Sequence, residues 1–226
     1  KFKIKIENLK NKFSPYEAKK KTKNFFLFNI FRPFKNLTKS ILKFNRNSKE
    51  INYLLTRHPP IIDGVFNNAG ITGPISPIQD LNPADLKAVL DTNVSGAFYV
   101  AQEAAKIMIN QKYGSIVNMS SIAADIGGGG EFVHYAMSKG AIHSLTYGMA
   151  KELGKYGIRV NAVAPGLIDT EIHAKAGDAS RVERLMPSVP LGRVGGAEEV
   201  AQTVMWLLGK ESSYICGSIV PVSGGR

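Results

Sequence analysis

From residue 61 onward, short apolar runs of strand length alternate with longer stretches that are apolar at helical spacing, and few folds accept that rhythm. Ile61-Ile62-Asp63-Gly64-Val65-Phe66 reads as a strand ending in Asn67-Asn68-Ala69-Gly70. Asn82-Pro83 supplies a cap residue and a proline at the first helical position, and Leu86, Val89, Leu90, Val94, Ala97, Val100, Ala101 and Ala104 follow at helical spacing. A strand over Ser115 to Met119, a helix from Tyr135 to Leu153 and a strand over Arg159 to Val163 come next, the last ended by Pro165-Gly166. A loop-rich stretch with a helix around Ala179 to Leu185, a helix from Ala197 to Leu208 and a strand over Ser218 to Val222 complete the pattern. Such alternation predicts an α/β fold, a parallel sheet with helices on both faces. Ligands in such sheets lie beyond the carboxyl ends of the strands. The segments expected there are 67–70, 120–135 and 165–170.

Composition divides the chain at the point where this rhythm begins. Residues 1–63 carry 16 Lys and Arg against four acids, whereas the remainder carries 13 bases and 14 acids, so all the excess positive charge belongs to the first segment. That segment also holds eight of the 11 Phe and no glycine before Gly64. The chain therefore reads as an atypical basic Phe/Lys/Asn-rich segment, 1–60, followed by a catalytic part, 61–226. Within the first segment Lys1 to Ile6 alternates, Ser14 to Lys23 suits a helical turn or two, and Lys19-Lys20-Lys21 reads as a solvated charge run rather than a nucleic-acid site. Its most apolar run, Phe25 to Phe31, is too short to cross a bilayer. One cysteine, Cys216, excludes an intramolecular disulfide and offers no metal cluster, which predicts a reducing, cytoplasmic compartment. No secretory signal is expected, since no apolar core precedes a small-residue cleavage site.

The residues that carry chemistry are Tyr135, Lys139, Ser121 and Asn93. Three Tyr-x-x-x-Lys pairs occur, Tyr16/Lys20, Tyr135/Lys139 and Tyr147/Lys151, and position separates them. Tyr135 is expected at the ligand edge of its helix, whereas Tyr147 lies about 18 Å further down at 1.5 Å per residue. Four residues apart, Tyr135 and Lys139 share a helix face, so the ammonium can favour the phenolate and bring a poor base toward working range. Ser121 follows a strand whose carboxyl end reaches the same edge and can donate to a substrate oxygen. Ser120 is its rival, because side chains alternate along an extended strand. Asn93 falls on the apolar stripe of its helix, where an amide without partners is costly, so it is expected to hold a water or a backbone group.

With these residues in place the chain resembles a short-chain dehydrogenase/reductase of the conventional type, and within it the glucose-dehydrogenase-like bacterial branch. The motifs that carry the resemblance are Asn67-Asn68-Ala69-Gly70, Asn93-Val94-Ser95-Gly96, Gly114 to Ser121, Tyr135-x-x-x-Lys139, Arg159-Val160-Asn161-x-x-x-Pro165-Gly166, Leu167 to Ile172 and Gly217 to Gly225. They run almost without a break from about residue 60 to Arg226. The resemblance implies a Rossmann-like three-layer sandwich, and NAD or NADP as cofactor for hydride transfer to or from a carbonyl/alcohol substrate. It implies that Tyr135 is the general acid/base, that Lys139 lowers its pKa and bonds the nicotinamide ribose, that Ser121 orients the substrate oxygen and that Asn93 anchors a relay water. Asn68, Ala69 and Gly70 would border the adenosine side, and Pro165, Gly166, Ile168 and Thr170 the nicotinamide. A homodimer or homotetramer through the two long helices is implied as well.

The resemblance does not reach residues 1–60, where no Thr-Gly-x-x-x-Gly-x-Gly can be read in a glycine-free stretch. The N-terminal part of the fold is therefore expected to be atypical or missing. Two other readings stay open on the sequence alone. One is an inactive remnant, truncated or frameshifted at its start, that has lost cofactor binding. The other is an interaction protein whose basic extension touches a membrane surface or a polyanion. NAD versus NADP and the identity of the substrate are not legible, because the first depends on that same segment and the second on the loop from Leu167 to Pro190.

Overall fold

A computed structural model describes the backbone of residues 25–28 and residues 61–178 and 180–226. Five strands form one sheet in the order β1 (Phe25–Phe28), β2 (Gly64–Asn67), β3 (Gly114–Met119), β4 (Ile158–Pro165) and β5 (Ile219–Val222), and every neighbouring pair is parallel. The sequence reading assigned no strand to 25–28, yet Phe25 to Phe28 runs in register with Gly64 to Asn67. A four-residue apolar run cannot be told from any other buried segment by periodicity. Other expectations within 1–60, namely Lys1 to Ile6, Ser14 to Lys23 and the Lys19-Lys20-Lys21 run, lie outside the described residues.

Alternation along the strands sends their side chains to two separate cores. On one side Val65, Ile116 and Val160 lie in register and pack with Ala104, Ala105, Met108 and Leu153 from helices α2 (Ala97–Gln111) and α4 (Val133–Leu153). On the other, Phe66, Val117 and Val163 meet Val200, Val204 and Leu207 of α7 (Ala197–Leu208). Helices on both faces explain why β2 is buried at all four positions and reads as an apolar run rather than an alternation. This is the three-layer α/β arrangement expected from the sequence.

Boundaries moved by small amounts for local reasons. Asn82 caps α1 (Pro83–Leu90) as expected, its side-chain oxygen accepting from the Ala84 amide at 2.8 Å. The stretch from Pro83 to Gln111, which reads as one helix, is interrupted by a π-helical turn over Asp91–Gly96 before α2 begins. The helix expected around 179–185 is α6 (Arg181–Leu185); a further short helix, α5 (Ile172–Lys175), precedes it, and a short α3 (Ala123–Ile126) follows β3.

A ladder of buried amides ties the first layer to the sheet. Asn67 donates to the Ala97 carbonyl at 2.9 Å and to Asn118 Oδ1 at 3.1 Å, and Asn118 donates in turn to Thr146 Oγ1 at 3.0 Å. Asn67 thus satisfies a carbonyl at the exit of the π turn, while Asn118 reaches α4. The ladder fixes both helices that approach the ligand edge.

Candidate active site

Beyond the carboxyl ends of β2, β3 and β4 lies a cavity of about 550 Å³, within the range of small-molecule sites. Tyr135, Lys139, Ser121, Asn68, Ala69, Gly70, Pro165, Gly166, Ile168 and Thr170 all line it. Of the site residues expected from the sequence, only Asn93 does not reach the cavity wall.

Asn93 lies one layer behind. It is fully buried in the π turn, where the widened helix leaves room for a side chain to insert. Its Oδ1 accepts from the Ile71 amide at 2.8 Å, and its Nδ2 donates to the Ile71 carbonyl at 2.8 Å and to Ser138 Oγ at 2.9 Å. The amide therefore holds a backbone group, one of the two alternatives left open by its place on an apolar stripe. It pins the strand β2 exit loop to both α1–α2 and α4. Gly70 must approach this cluster closely: a Cβ there would come to 3.3 Å from Asn93 Oδ1 and 3.3 Å from Lys139 Nζ. Asn93→Ala leaves buried partners of Ile71 and Ser138 unsatisfied, and is expected to destabilise the chain by about 2–4 kcal/mol, read as a lower urea midpoint at unchanged slope.

Tyr135 and Lys139 stand one turn apart on α4, with Lys139 Nζ 5.6 Å from the tyrosine ring centroid. The ammonium donates to the Met119 carbonyl, the last residue of β3, at 2.8 Å. Burial pushes it down to about 8 from 10.5. Ser120 is the buried member of the serine pair, its hydroxyl donating to the Lys139 carbonyl at 3.2 Å. Ser121 accepts from the Ala123 amide at 3.1 Å and donates weakly to the Pro165 carbonyl at 3.4 Å, which joins the ends of β3 and β4. Gly166 completes this junction, since a Cβ there would come to 2.7 Å from Ser223 Cα beyond β5.

Tyr135 is buried, and burial and nearby groups act on it in opposite directions. Burial raises the phenol above its ordinary value and outweighs two lowering influences, a hydrogen bond with Ser121 and the positive charge of Arg181. Lys139, whose own proton is loosened by burial, lies 5.6 Å from the centroid of the same ring. Arg181 comes from α6, in the loop-rich stretch after β4. Its guanidinium lies 4.9 Å over the Phe132 ring, which is set edge-on to Tyr135 at 6.3 Å between centroids. Nε and Nη2 of Arg181 donate to Glu131 Oε2 at 3.0 and 2.8 Å. Arg184 donates to the other oxygen of Glu131 at 2.6 Å and to Asp178 at 2.8 Å. No motif marks Arg181 in the sequence, because the carboxylate that braces it, Glu131, is 50 residues away.

A family profile described as "Enoyl-(Acyl carrier protein) reductase" matches residues 49–226. The uncharacterized oxidoreductase YgfF of Escherichia coli (strain K12) is 43% identical over 175 residues, covering 76% of this chain and 71% of that protein. The chain belongs to the short-chain dehydrogenase/reductase family. The 3-oxoacyl-(acyl-carrier-protein) reductase FabG of Thermotoga maritima is 42% identical over 164 residues, 73% of this chain and 65% of that one. The chain thus spans about two thirds of the length of such reductases. Among solved structures, a gluconate 5-dehydrogenase from Burkholderia cenocepacia J2315 in complex with NADP and tartrate aligns with TM-score 0.70 at 32% identity, covering 77% of this chain and 68% of that one. NAD+-bound xylitol dehydrogenase aligns with TM-score 0.68 at 36% identity, over 78% and 73%.

Membership in this family makes the chain one of the NAD(P)-dependent oxidoreductases, and relatives that are oxidoreductases by name do not favour an inactive remnant or an interaction module. The match begins about 11 residues before the start read from motifs. The residues present fit the nicotinamide half of the cofactor: Gly70 leaves no side chain beside the Lys139 ammonium, and Pro165, Gly166, Ile168 and Thr170 line the same cavity. Among the described residues no group of three or more His, Cys, Asp or Glu could hold a metal ion, and no helix is long and apolar enough to cross a membrane.

Proposed function

We propose that residues 61–226 form the catalytic part of an enzyme that interconverts a small carbonyl compound and its alcohol, with Tyr135 as the general acid/base. The observation that carries this reading is the convergence of the Tyr135, Ser121 and Lys139 side chains on one cavity at the carboxyl edge of the sheet. The nicotinamide, when bound, supplies or accepts the hydride. Ser121 donates a hydrogen bond to the substrate carbonyl oxygen, and Tyr135 gives its phenolic proton to that oxygen as negative charge develops on it. Lys139 holds the ribose of the cofactor with an ammonium already anchored on Met119. Asn93 positions the Ile71 backbone and α4, and through them the wall behind Gly70. Asn68, Ala69, Gly70, Pro165, Gly166, Ile168 and Thr170 border the cofactor.

Direction and pH are linked through these groups. A phenol held above its ordinary value is protonated at neutral pH and is set as an acid, which suits reduction. Lys139 loses its charge as pH rises through about 8. The kcat/KM for reduction is therefore expected to be level below about 8 and to fall above it, while that for oxidation, which needs the phenolate, rises with pH. Initial rates of NADPH or NADH consumption and formation across that range check both limbs. A reductive limb that climbs above pH 8 contradicts the assignment.

The proposal extends to a cytoplasmic homo-oligomer. Phe98, Tyr99, Met137 and Tyr147 stand exposed on α2 and α4, an apolar face suited to a second copy. Consumption of NADH or NADPH in the presence of a panel of aldehydes, ketones and sugars tests the activity itself. No consumption with any of them, by a chain that binds the nucleotide, would count against it.

A further inference from the structure

The polar lining of the cavity is unequal in sign. Its side-chain cations are Lys139, Arg181 and Arg226; Glu171 is the one side-chain carboxylate among its described residues, and His173 is engaged with the Ile168 carbonyl at 3.0 Å. Lys139 is spoken for by Met119. Arg181 and Arg226 are not equally spent. Arg181 is braced on one edge by Glu131 and on its face by Phe132, which leaves Nη1 without a hydrogen bond among the described residues. The Arg226 guanidinium makes no hydrogen bond or ion pair among them either. The two guanidinium groups also repel: after burial, the positive charge of Arg181 is the main influence holding Arg226 below its ordinary value, with Glu131 opposing it. Two cations facing a cavity with spare donors are stabilised by an anion placed between them.

We infer that Arg181 and Arg226 form a carboxylate-binding subsite, so that the substrate is a hydroxy acid or the corresponding oxo acid, held by its carboxylate at these arginines with its carbinol or carbonyl carbon toward Tyr135. Arg181 is suited to this by position, since it and Tyr135 both contact Phe132 and both line the cavity. The bracing by Glu131 fixes the guanidinium plane before the substrate arrives, so less rotamer freedom is lost on binding. A neutral polyol or ketone gains nothing from either arginine. This inference rests on the oxidoreductase reading above, and binding rather than turnover separates the two.

The test is calorimetric titration of lactate, malate, tartrate and gluconate, and of the uncharged polyols threitol and glucitol, into the full chain with and without saturating NADP or NAD. At least one acid is expected to bind more tightly than its polyol, with an affinity that falls as salt rises. In Arg226→Gln its Kd is expected to rise tenfold or more, with an unchanged thermal midpoint and unchanged nucleotide affinity. Arg181→Lys, which keeps the charge but not the fork, is expected to weaken the same acid less than Arg181→Gln does. Absence of binding by all four acids, equal binding of acid and polyol, or an unchanged Kd in Arg226→Gln would each overturn the subsite. Failure of NADH and NADPH to bind would instead overturn the oxidoreductase reading and leave the acid titrations to be judged alone.

Discussion

Tyr135→Phe is expected to bind NADH or NADPH within about twofold of the unaltered chain and to lose turnover by about 10²–10⁴-fold, the range of a positioned proton donor. The change removes one oxygen and keeps the ring. The ring is what packs edge-on against Phe132, so the wall of the cavity is preserved. Ser121 remains held by the Ala123 amide and the Pro165 carbonyl, and can still polarise a carbonyl oxygen. What disappears is the phenolic proton, which burial makes harder to lose than an exposed one. Steady-state rates beside a fluorescence titration of the nucleotide separate the two effects. Loss of nucleotide binding together with turnover would mean that the phenol serves structure, not proton transfer.

Lys139→Met is expected to abolish turnover while making the chain more stable at neutral pH. A buried ammonium whose value drops from 10.5 to about 8 costs the folded state roughly 3 kcal/mol, at about 1.4 kcal/mol for each tenfold change. Methionine fills similar volume without charge. It leaves the Met119 carbonyl without its donor, which offsets about 1–2 kcal/mol of the gain. A net gain of about 1–2 kcal/mol in urea unfolding at pH 7 follows. The sign reverses with pH. Between about 8 and 10.5 the unfolded lysine binds a proton that the folded one has released, so the stability of the unaltered chain rises with pH through that window. The advantage of Lys139→Met therefore shrinks and is lost by its upper end. A variant that is less stable at pH 7 would show that the lysine is held for packing or hydrogen bonding rather than against its own desolvation.

Much of this site is legible in the sequence because the chemistry is local there. Tyr135 and Lys139 need only helical spacing and Asn82 and Pro83 only the rules of helix starts, whereas strand alternation left Ser120 and Ser121 as rivals, and both line the cavity. Asn93 could be recognised as a costly amide on an apolar stripe, but the π turn around it and its partner Ile71, 22 residues away, could not. The first strand of the sheet was missed because Phe25 to Phe28 has no pattern that separates a strand from any apolar run. Arg181 and Arg226 were missed for a different reason. They lie 46 and 91 residues after Tyr135, on the short helix α6 and beyond the last strand, and only the fold brings them to one cavity. Proton-transfer residues that share an element can be read from spacing, whereas the groups that choose a substrate come from segments joined only in space.

The measurement that bears most directly on the account is titration of NADH and NADPH into the pure, folded chain, followed by nucleotide fluorescence. The site predicts saturable binding of at least one of them. It also predicts that Gly70→Val, which brings a side chain against Asn93 and Lys139 where the nicotinamide ribose is expected, weakens that binding tenfold or more. Absence of binding of either nucleotide by a chain that unfolds cooperatively would contradict it.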